Sequence, residues 1–115
     1  MKDCLFCKIV NKEIPADIVY EDDIVIVFKD IHPQKPVHWL IIPKSHITSL
    51  NEIDALTPDV THRLLSTIAK LAKEHGFSDN GYRVIINTNA HGGQVVDHLH
   101  IHILAGEPVG AMVQP

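Results

Sequence analysis

The sequence has little of what marks a secreted, membrane-embedded or nucleic-acid-binding protein. It contains two cysteines, three Phe, two Tyr and one Trp, and no apolar run approaches the ~18 residues that a membrane span needs. Ten Lys and Arg are outnumbered by fourteen Asp and Glu, so the formal net charge of −4 does not indicate a basic nucleic-acid surface. The N-terminal segment lacks the apolar stretch of a signal peptide. We therefore expect a cytoplasmic protein that binds neither membranes nor nucleic acid.

Histidine, by contrast, is abundant, with nine residues in the chain. Three of them alternate with aliphatic residues in the segment His98-Leu99-His100-Ile101-His102-Ile103-Leu104. Period-2 alternation is typical of a β-strand with two unlike faces, so the imidazoles are predicted on one face, each about 6.5–7 Å from the next. Leu99, Ile101 and Ile103 are predicted on the opposite face, in the core. Because histidine is costly to bury without a partner, an imidazole-lined face indicates a functional site.

The remaining patterns predict one small domain over residues 1–115. We expect a helical turn at residues 4–10 and a long helix that begins with Thr57 as N-cap and Pro58 in its first turn, and stops at Gly76. Strands are predicted at residues 19–20, 24–28, 38–42, 82–87 and 97–104. One main helix packed on a five-stranded, mostly antiparallel sheet gives an α+β fold.

The histidine face admits two chemical interpretations. The imidazoles could be metal ligands, although the outer pair, about 13–14 Å apart along a strand, cannot share one ion. Alternatively, one imidazole could act as a nucleophile while its neighbours orient it or handle protons. The preceding segment, residues 87–94, favours the second interpretation, because the paired Gly92 and Gly93 expose backbone N–H groups that can hold a phosphate.

The alternation of histidine with apolar residues resembles the signature of the histidine-triad (HIT) family. The resemblance covers nearly the whole chain, through residues 13–15, 21–23, 30–34, 42–46 and 92–94. It points to the Hint branch, which cleaves purine nucleoside phosphoramidates to nucleoside monophosphates. It also implies a HIT-like fold and a homodimer, in which two five-stranded sheets join edge to edge into ten strands. In that dimer the strand at residues 81–86 would be covered, and the tail at residues 107–115 would be ordered mainly by the partner.

The resemblance also implies roles for individual polar residues. His100 would be the nucleophile that forms a covalent nucleotidyl-imidazole, with its N–H held by the backbone carbonyl of His98. His102 would contact the phosphate or the leaving group, and His38 matches a fourth active-site histidine, so that these four form the candidate catalytic set. Asp30 matches a carboxylate that accepts hydrogen bonds from both ribose hydroxyls, which its two oxygens suit.

Other positions match nucleotide contacts of the family. Gln94 and the backbone around Gly93 would steady the phosphate and the leaving atom, with Asn87 close to the same group. Val95 lies at the next position, where relatives often have a serine that donates to the phosphate, and Asp97 stands where an aromatic residue is frequent. Apolar residues that match the purine slot, each of which could instead be plain core, are Leu5, Phe6, Ile9, Ile14, Phe28 and Ile31.

Cys4 and Cys7 form a C-x₂-C pair, which in an intracellular protein is a redox pair, a pair of free thiols or half of a metal site. A redox pair normally follows a strand, and no strand is predicted before Cys4. Some histidine-triad proteins and the related galactose-phosphate uridylyltransferases bind structural zinc through two cysteines, a mid-chain histidine and the first triad histidine. Cys4, Cys7, His46 and His98 fit that pattern, which implies a zinc ion that catalysis does not require.

The leading expectation is therefore a purine nucleoside phosphoramidate hydrolase, with acyl-nucleotidylates as further candidate substrates. A dinucleoside polyphosphate hydrolase of the Fhit type and a mainly nucleotide-binding regulatory scaffold are the alternatives. Retention of all three triad histidines argues against a purely scaffolding role. The other histidines, expected at the surface or in loops, are His32, His62, His75 and His91.

Overall fold

The computed structural model describes residues 4–112. Its helices are α1 (Leu5–Val10), α2 (Pro58–Glu74) and the short α3 (Asn89–Gly92), with a 3₁₀ helix at Leu50–Ala55. Its strands are β1 (Ile18–Glu21), β2 (Val25–Lys29), β3 (Val37–Pro43), β4 (Arg83–Ile85) and β5 (Ile101–Ala105). The strands form one antiparallel sheet in the order β1-β2-β3-β5-β4. The α+β fold with five strands and one main helix is confirmed. No helix within the described part of the chain is both long and apolar enough to cross a bilayer.

The two faces of the sheet are covered by different helices. Helix α2 packs on one face, where Leu99, Ile101 and Ile103 are at most 3% exposed in the larger core cluster. Helix α1 covers the other face, where Phe6 and Ile9 pack in a second, smaller cluster with residues of β2 and β3. The predicted division of the triad segment into an apolar face and an imidazole face is therefore confirmed.

Helix α2 begins and ends where the sequence predicted. Thr57 occupies the N-cap position with extended backbone, and Pro58 follows in the first turn. After the C-cap, His75, the chain turns at Gly76, whose φ of +81° is readily adopted only without a side chain. The N–H of Phe77 then donates to the carbonyl of Ala72 and closes the helix.

The last two strands are shorter than predicted. Strand β5 begins at Ile101, because His98 and Leu99 find partners outside a strand ladder: the ring of His98 donates to the carbonyl of Pro43, and the N–H of Leu99 donates to the carbonyl of Ile47. Pairing of β4 runs from Arg83, opposite Leu104, to Ile85, opposite His102. Strand β4 is an outer strand of the sheet, as predicted.

The C-terminal tail contacts its own chain, and its ordering by a partner subunit stays a prediction. Lys35 donates to the carbonyl of Pro108, and Arg83 donates to the carbonyl of Gly110. Residues 113–115 of the predicted tail lie outside the described residues.

Candidate active site

The ring of His100 is fixed in one tautomer by its neighbour in the triad. Its Nδ1 lies 2.8 Å from the backbone carbonyl oxygen of His98. Since a carbonyl oxygen only accepts, Nδ1 carries the proton of the neutral ring, and Nε2 keeps a free lone pair. His100 is 4% exposed, so its orientation is set by packing as well as by this hydrogen bond. A neutral imidazole held in this way is suited to nucleophilic attack.

A second chain of hydrogen bonds orients His38 and His102, which lie on neighbouring strands β3 and β5. The N–H of Gln34 donates to Nδ1 of His38 at 3.0 Å. The proton of neutral His38 must therefore be on Nε2, which lies 3.0 Å from Nδ1 of His102 and 3.4 Å from a carboxylate oxygen of Asp30. His102 then accepts at Nδ1 and carries its own proton on Nε2. This series of hydrogen bonds leaves the Nε2–H of His102 available to a ligand.

Burial holds His102 in its neutral form. Loss of hydration, with smaller contributions from the neighbouring His100 and His38, lowers the pKa of His102 to about 4. The ring is therefore uncharged near neutral pH when no ligand is present.

Asp30, His38 and His102 bring one nitrogen or oxygen atom each within 4.8 Å of one another, a spacing that could suit a metal ion. The hydrogen bond from Gln34 argues against this use. A metal on Nε2 of neutral His38 would force the ring proton onto Nδ1, where it would face the N–H of Gln34. The geometry favours a hydrogen-bonded chain over a metal site.

Gln94 braces the glycine loop through both ends of its side chain. Its amide oxygen accepts from the N–H of Asn89, and its amide nitrogen donates to the carbonyls of Thr48 and Val96. Asn89 has a positive φ of 57°, which few residues other than glycine adopt, and its contact with Gln94 helps to hold it there. A contact between Gln94 and phosphate stays a prediction.

The residues predicted to bind the nucleotide differ in their burial. Phe6, Ile9 and Phe28 are buried in the smaller core cluster, and Ile14 packs against it half-buried. Residues 30 and 87 are also half-buried, and the Asp30 carboxylate accepts from the N–H of His32 at 2.7 Å. The residues with accessible apolar side chains are Leu5, Ile31 and Val95, at 47%, 86% and 89% exposure.

Four potential metal ligands meet where α1 approaches the start of the triad. Nδ1 of His98 lies 3.3 Å from Sγ of Cys4, 3.6 Å from Sγ of Cys7 and 3.0 Å from Nδ1 of His46. Sγ of Cys7 is also 3.3 Å from Nδ1 of His46. In a tetrahedral zinc site, with Zn–S bonds of about 2.3 Å and Zn–N bonds of about 2.0–2.1 Å, ligand atoms lie about 3.3–3.8 Å apart. The three distances that involve a sulfur atom, 3.3, 3.3 and 3.6 Å, lie within this range, and the 3.0 Å between the two imidazole nitrogens is slightly shorter.

The hydrogen bonds around the cluster also fit a metal. Nε2 of His98 donates to the carbonyl of Pro43 at 2.9 Å, so its Nδ1 presents a lone pair to the cluster. Nε2 of His46 is buried without a hydrogen-bond partner among the described residues. If that nitrogen carries the ring proton, two Nδ1 lone pairs face each other, an arrangement that a cation between them relieves. Burial, followed by contact with Cys4, raises the pKa of Cys7 to about 11. A reactive redox pair usually shows the opposite shift.

Several contacts of the site escaped sequence reasoning. The backbone N–H of Gln34, the carbonyl of Pro43 and the brace made by Gln94 became visible only in the fold, although all three lie in segments that carry the family resemblance. His32, His62, His75 and His91 are exposed, as expected. His75 packs edge-on against Trp39, with ring centroids 4.9 Å apart.

The fold and the site define an α+β protein with a preorganised histidine beside a Cys₂His₂ cluster. Comparison with known proteins identifies the family. Residues 11–109 match the model of the HIT domain, and the chain belongs to this family.

Three relatives illustrate the similarity. The purine nucleoside phosphoramidase of Escherichia coli K12 is 46% identical over 112 residues, which cover 97% of this chain and 94% of that protein. A 14 kDa zinc-binding protein of Brassica juncea is 45% identical over 106 residues, 90% of this chain and 93% of that protein. The structure of a histidine triad protein from Clostridium difficile superposes with a TM-score of 0.93 at 47% identity, covering 98% of each chain.

Proposed function

We propose that this protein hydrolyses purine nucleoside 5′-phosphoramidates through a covalent nucleotidyl-histidine on His100. The observation that carries the proposal is the 2.8 Å hydrogen bond from Nδ1 of His100 to the carbonyl of His98, which leaves Nε2 free to attack phosphorus. The similarity to a purine nucleoside phosphoramidase over nearly the whole chain supports the choice of substrate.

The reaction proceeds in two displacements at phosphorus. The lone pair on Nε2 of His100 forms the first new bond as the bond between phosphorus and the substrate nitrogen breaks. The Nε2–H of His102, which the contact with His38 orients, faces the phosphoryl group or the leaving nitrogen, and this nitrogen takes up a proton through it and departs as the amine. Water then attacks phosphorus and returns one proton to His102, the electron pair of the bond between phosphorus and Nε2 returns to His100, and the nucleoside monophosphate is released. Asp30, at the start of the β2–β3 connection, accepts from the ribose hydroxyls.

Substitution of the nucleophile tests this function directly. His100→Ala should lower turnover of adenosine 5′-phosphoramidate by at least about 10²-fold, while adenosine monophosphate still binds. His62→Ala, at an exposed histidine of α2, is the matched control and should keep full activity. Activity of His100→Ala within tenfold of wild type would exclude this nucleophile. Faster turnover of a diadenosine polyphosphate than of the phosphoramidate would instead assign the protein to polyphosphate hydrolysis.

The Cys₂His₂ cluster supports a structural zinc site formed by Cys4, Cys7, His46 and His98. Bound zinc would supply a fixed tetrahedral anchor that ties α1 to the start of the triad. A reducing compartment such as the cytoplasm suits two free thiols in this role. Elemental analysis of protein made with ample zinc should find about one zinc per chain. Cys4→Ser should lose it, whereas His62→Asn should keep it, and zinc-free wild-type protein would contradict the assignment.

The outer strand β4 supports a homodimer. Val84 and Ile86 are 43% and 38% exposed along this edge, and an unprotected apolar edge is prone to pair with another strand. A two-fold pairing of β4 with its copy would extend the sheet to ten strands. Light scattering should give twice the 12.8 kDa chain mass. Val84→Lys should yield monomers, while Ile18→Lys at the opposite edge, on a residue of similar exposure, should not. A monomeric wild-type protein would contradict the dimer.

A further inference from the structure

His98 contributes to two sites at once, one through its ring and one through its backbone. Both ring nitrogens are engaged: Nδ1 in the Cys₂His₂ cluster and Nε2 in the 2.9 Å hydrogen bond to Pro43. The carbonyl of the same residue accepts the proton of Nδ1 of His100. Because His98 is fully buried, any movement of its ring must be accommodated by its own backbone, and so by the acceptor that orients His100.

Helix α1 makes a second connection between the cluster and His100. Phe6, between the two cysteines in sequence, is 4% exposed. Its ring packs edge-on against His100, with centroids 5.1 Å apart and an interplanar angle of 86°. It also contacts the ring of His98 at 6.0 Å. The side chain that covers the proposed nucleophile is thus carried by the short helix whose N-cap and first turn hold the two thiols.

We propose that the metal-loaded Cys₂His₂ cluster positions the nucleophile, with His98 and Phe6 as the positioning residues. The loaded cluster holds the His98 carbonyl and the Phe6 ring in place, and these keep His100 in its Nδ1–H tautomer with Nε2 facing the substrate. The inference rests on the proposed function and on zinc in the cluster. It goes beyond a structural anchor, because it makes the geometry of the active site depend on metal occupancy.

Nuclear magnetic resonance of the histidine rings tests this dependence without relying on activity. Full-length protein labelled with ¹⁵N-histidine is compared as zinc-loaded, chelator-stripped and zinc-reloaded samples, with His100 assigned from the His100→Gln spectrum. The loaded protein should show a single Nδ1–H tautomer for His100. In the stripped protein this proton should exchange at least tenfold faster, and reloading with Zn²⁺ should reverse the change. Turnover should fall and recover in parallel by about 3- to 10-fold, as expected for one neutral hydrogen bond.

A variant with intact metal ligands tests the contact between Phe6 and His100 even if the stripped protein unfolds. Phe6→Leu keeps all four ligands and should retain about one zinc per chain, yet show faster exchange of the His100 proton and turnover reduced about 3- to 10-fold. Phe77→Leu is the matched control, since Phe77 is also buried and makes edge contacts with Trp39, but in the cluster on the opposite face of the sheet. It should leave the His100 signal unchanged.

The outcomes distinguish failure of this inference from failure of the two proposals on which it rests, the proposed function and zinc in the cluster. An unchanged tautomer and exchange rate in folded, stripped protein overturns the positioning role, as does wild-type protein that takes up no zinc. Equal effects of Phe6→Leu and Phe77→Leu overturn the part assigned to Phe6. If loaded wild-type protein cleaves no phosphoramidate, the proposed function fails, but the exchange measurements still decide whether the cluster positions His100.

Discussion

Titration of His102 is expected to reduce the free energy of unfolding by about 2 kcal/mol when the pH is lowered from 7.5 to 5.0. Burial, with smaller effects of His100 and His38, lowers the pKa of His102 to about 4 in the folded protein, against about 6.5 in an unfolded chain. Between these values the unfolded state binds more protons than the folded state, so stability is complete above about pH 6.5 and declines as the pH falls toward 4. For a single group with these two pKa values, linkage gives a loss of about 2 kcal/mol at pH 5.0 and almost none at pH 7.5.

Urea unfolding of wild type and His102→Asn at both pH values measures this contribution. The variant lacks the titrating ring, and it loses the contact with His38 at both pH values. The change in its free energy of unfolding between the two pH values therefore reports only the other titrating groups. Wild type should lose about 2 kcal/mol more than His102→Asn between pH 7.5 and 5.0. An equal loss in the two proteins would refute the conclusion that burial holds His102 neutral.

Three further substitutions test the scaffold and the rim of the site. Asp22→Ala should reduce the free energy of unfolding by about 2 kcal/mol. The reason is that the carboxylate accepts hydrogen bonds from two backbone N–H groups of the β1–β2 turn and from Tyr20 and Arg63. Urea unfolding measures the change, and a loss below ~0.5 kcal/mol would contradict this role of Asp22. Gly106→Ala should reduce the free energy of unfolding by about 1–3 kcal/mol in the same assay. At residue 106 φ is +96°, and the new Cβ would lie 2.8 Å from Cβ of Pro36. Unchanged stability of the variant would contradict this predicted clash. Val95→Ser should raise kcat/KM for adenosine 5′-phosphoramidate about 2- to 10-fold, because the serine adds a hydrogen-bond donor to the phosphate. Stability should not change, since the side chain of Val95 is 89% exposed. Unchanged kinetics would show that this position does not reach the phosphate.

The period of the sequence was sufficient to predict the faces of the triad segment. Alternation placed Leu99, Ile101 and Ile103 in the core and the imidazoles opposite, because side-chain direction in an extended chain follows from sequence position alone. The strand boundary was not predictable in this way. It depends on the ring of His98 occupying the Pro43 carbonyl, a contact between residues 55 positions apart.

Some features of the site could be predicted from the sequence, and others could not. The meeting of Cys4 with His98 followed from resemblance, since no local pattern reports a contact across 94 positions. The tautomers of His38 and His102 were beyond sequence reasoning, because they are set by the single backbone N–H of Gln34. Local sequence patterns thus indicated which residues serve the chemistry. The protonation and orientation of their side chains depend on contacts that form only in the folded protein.

The strand order has a consequence for how the chain acquires its fold. Strand β5 follows every other strand in the sequence, yet it lies between β3 and β4, which have no other contact with each other in the sheet. During synthesis β1, β2 and β3 can pair as they emerge, but β3 exposes an apolar edge and β4 has no neighbour until residue 105 is available. Such late, long-range pairing is slow and leaves intermediates prone to aggregation. A chain that stops before Ile101 would therefore lack both the strand that joins β4 to the rest of the sheet and the histidine, His102, that contacts His38.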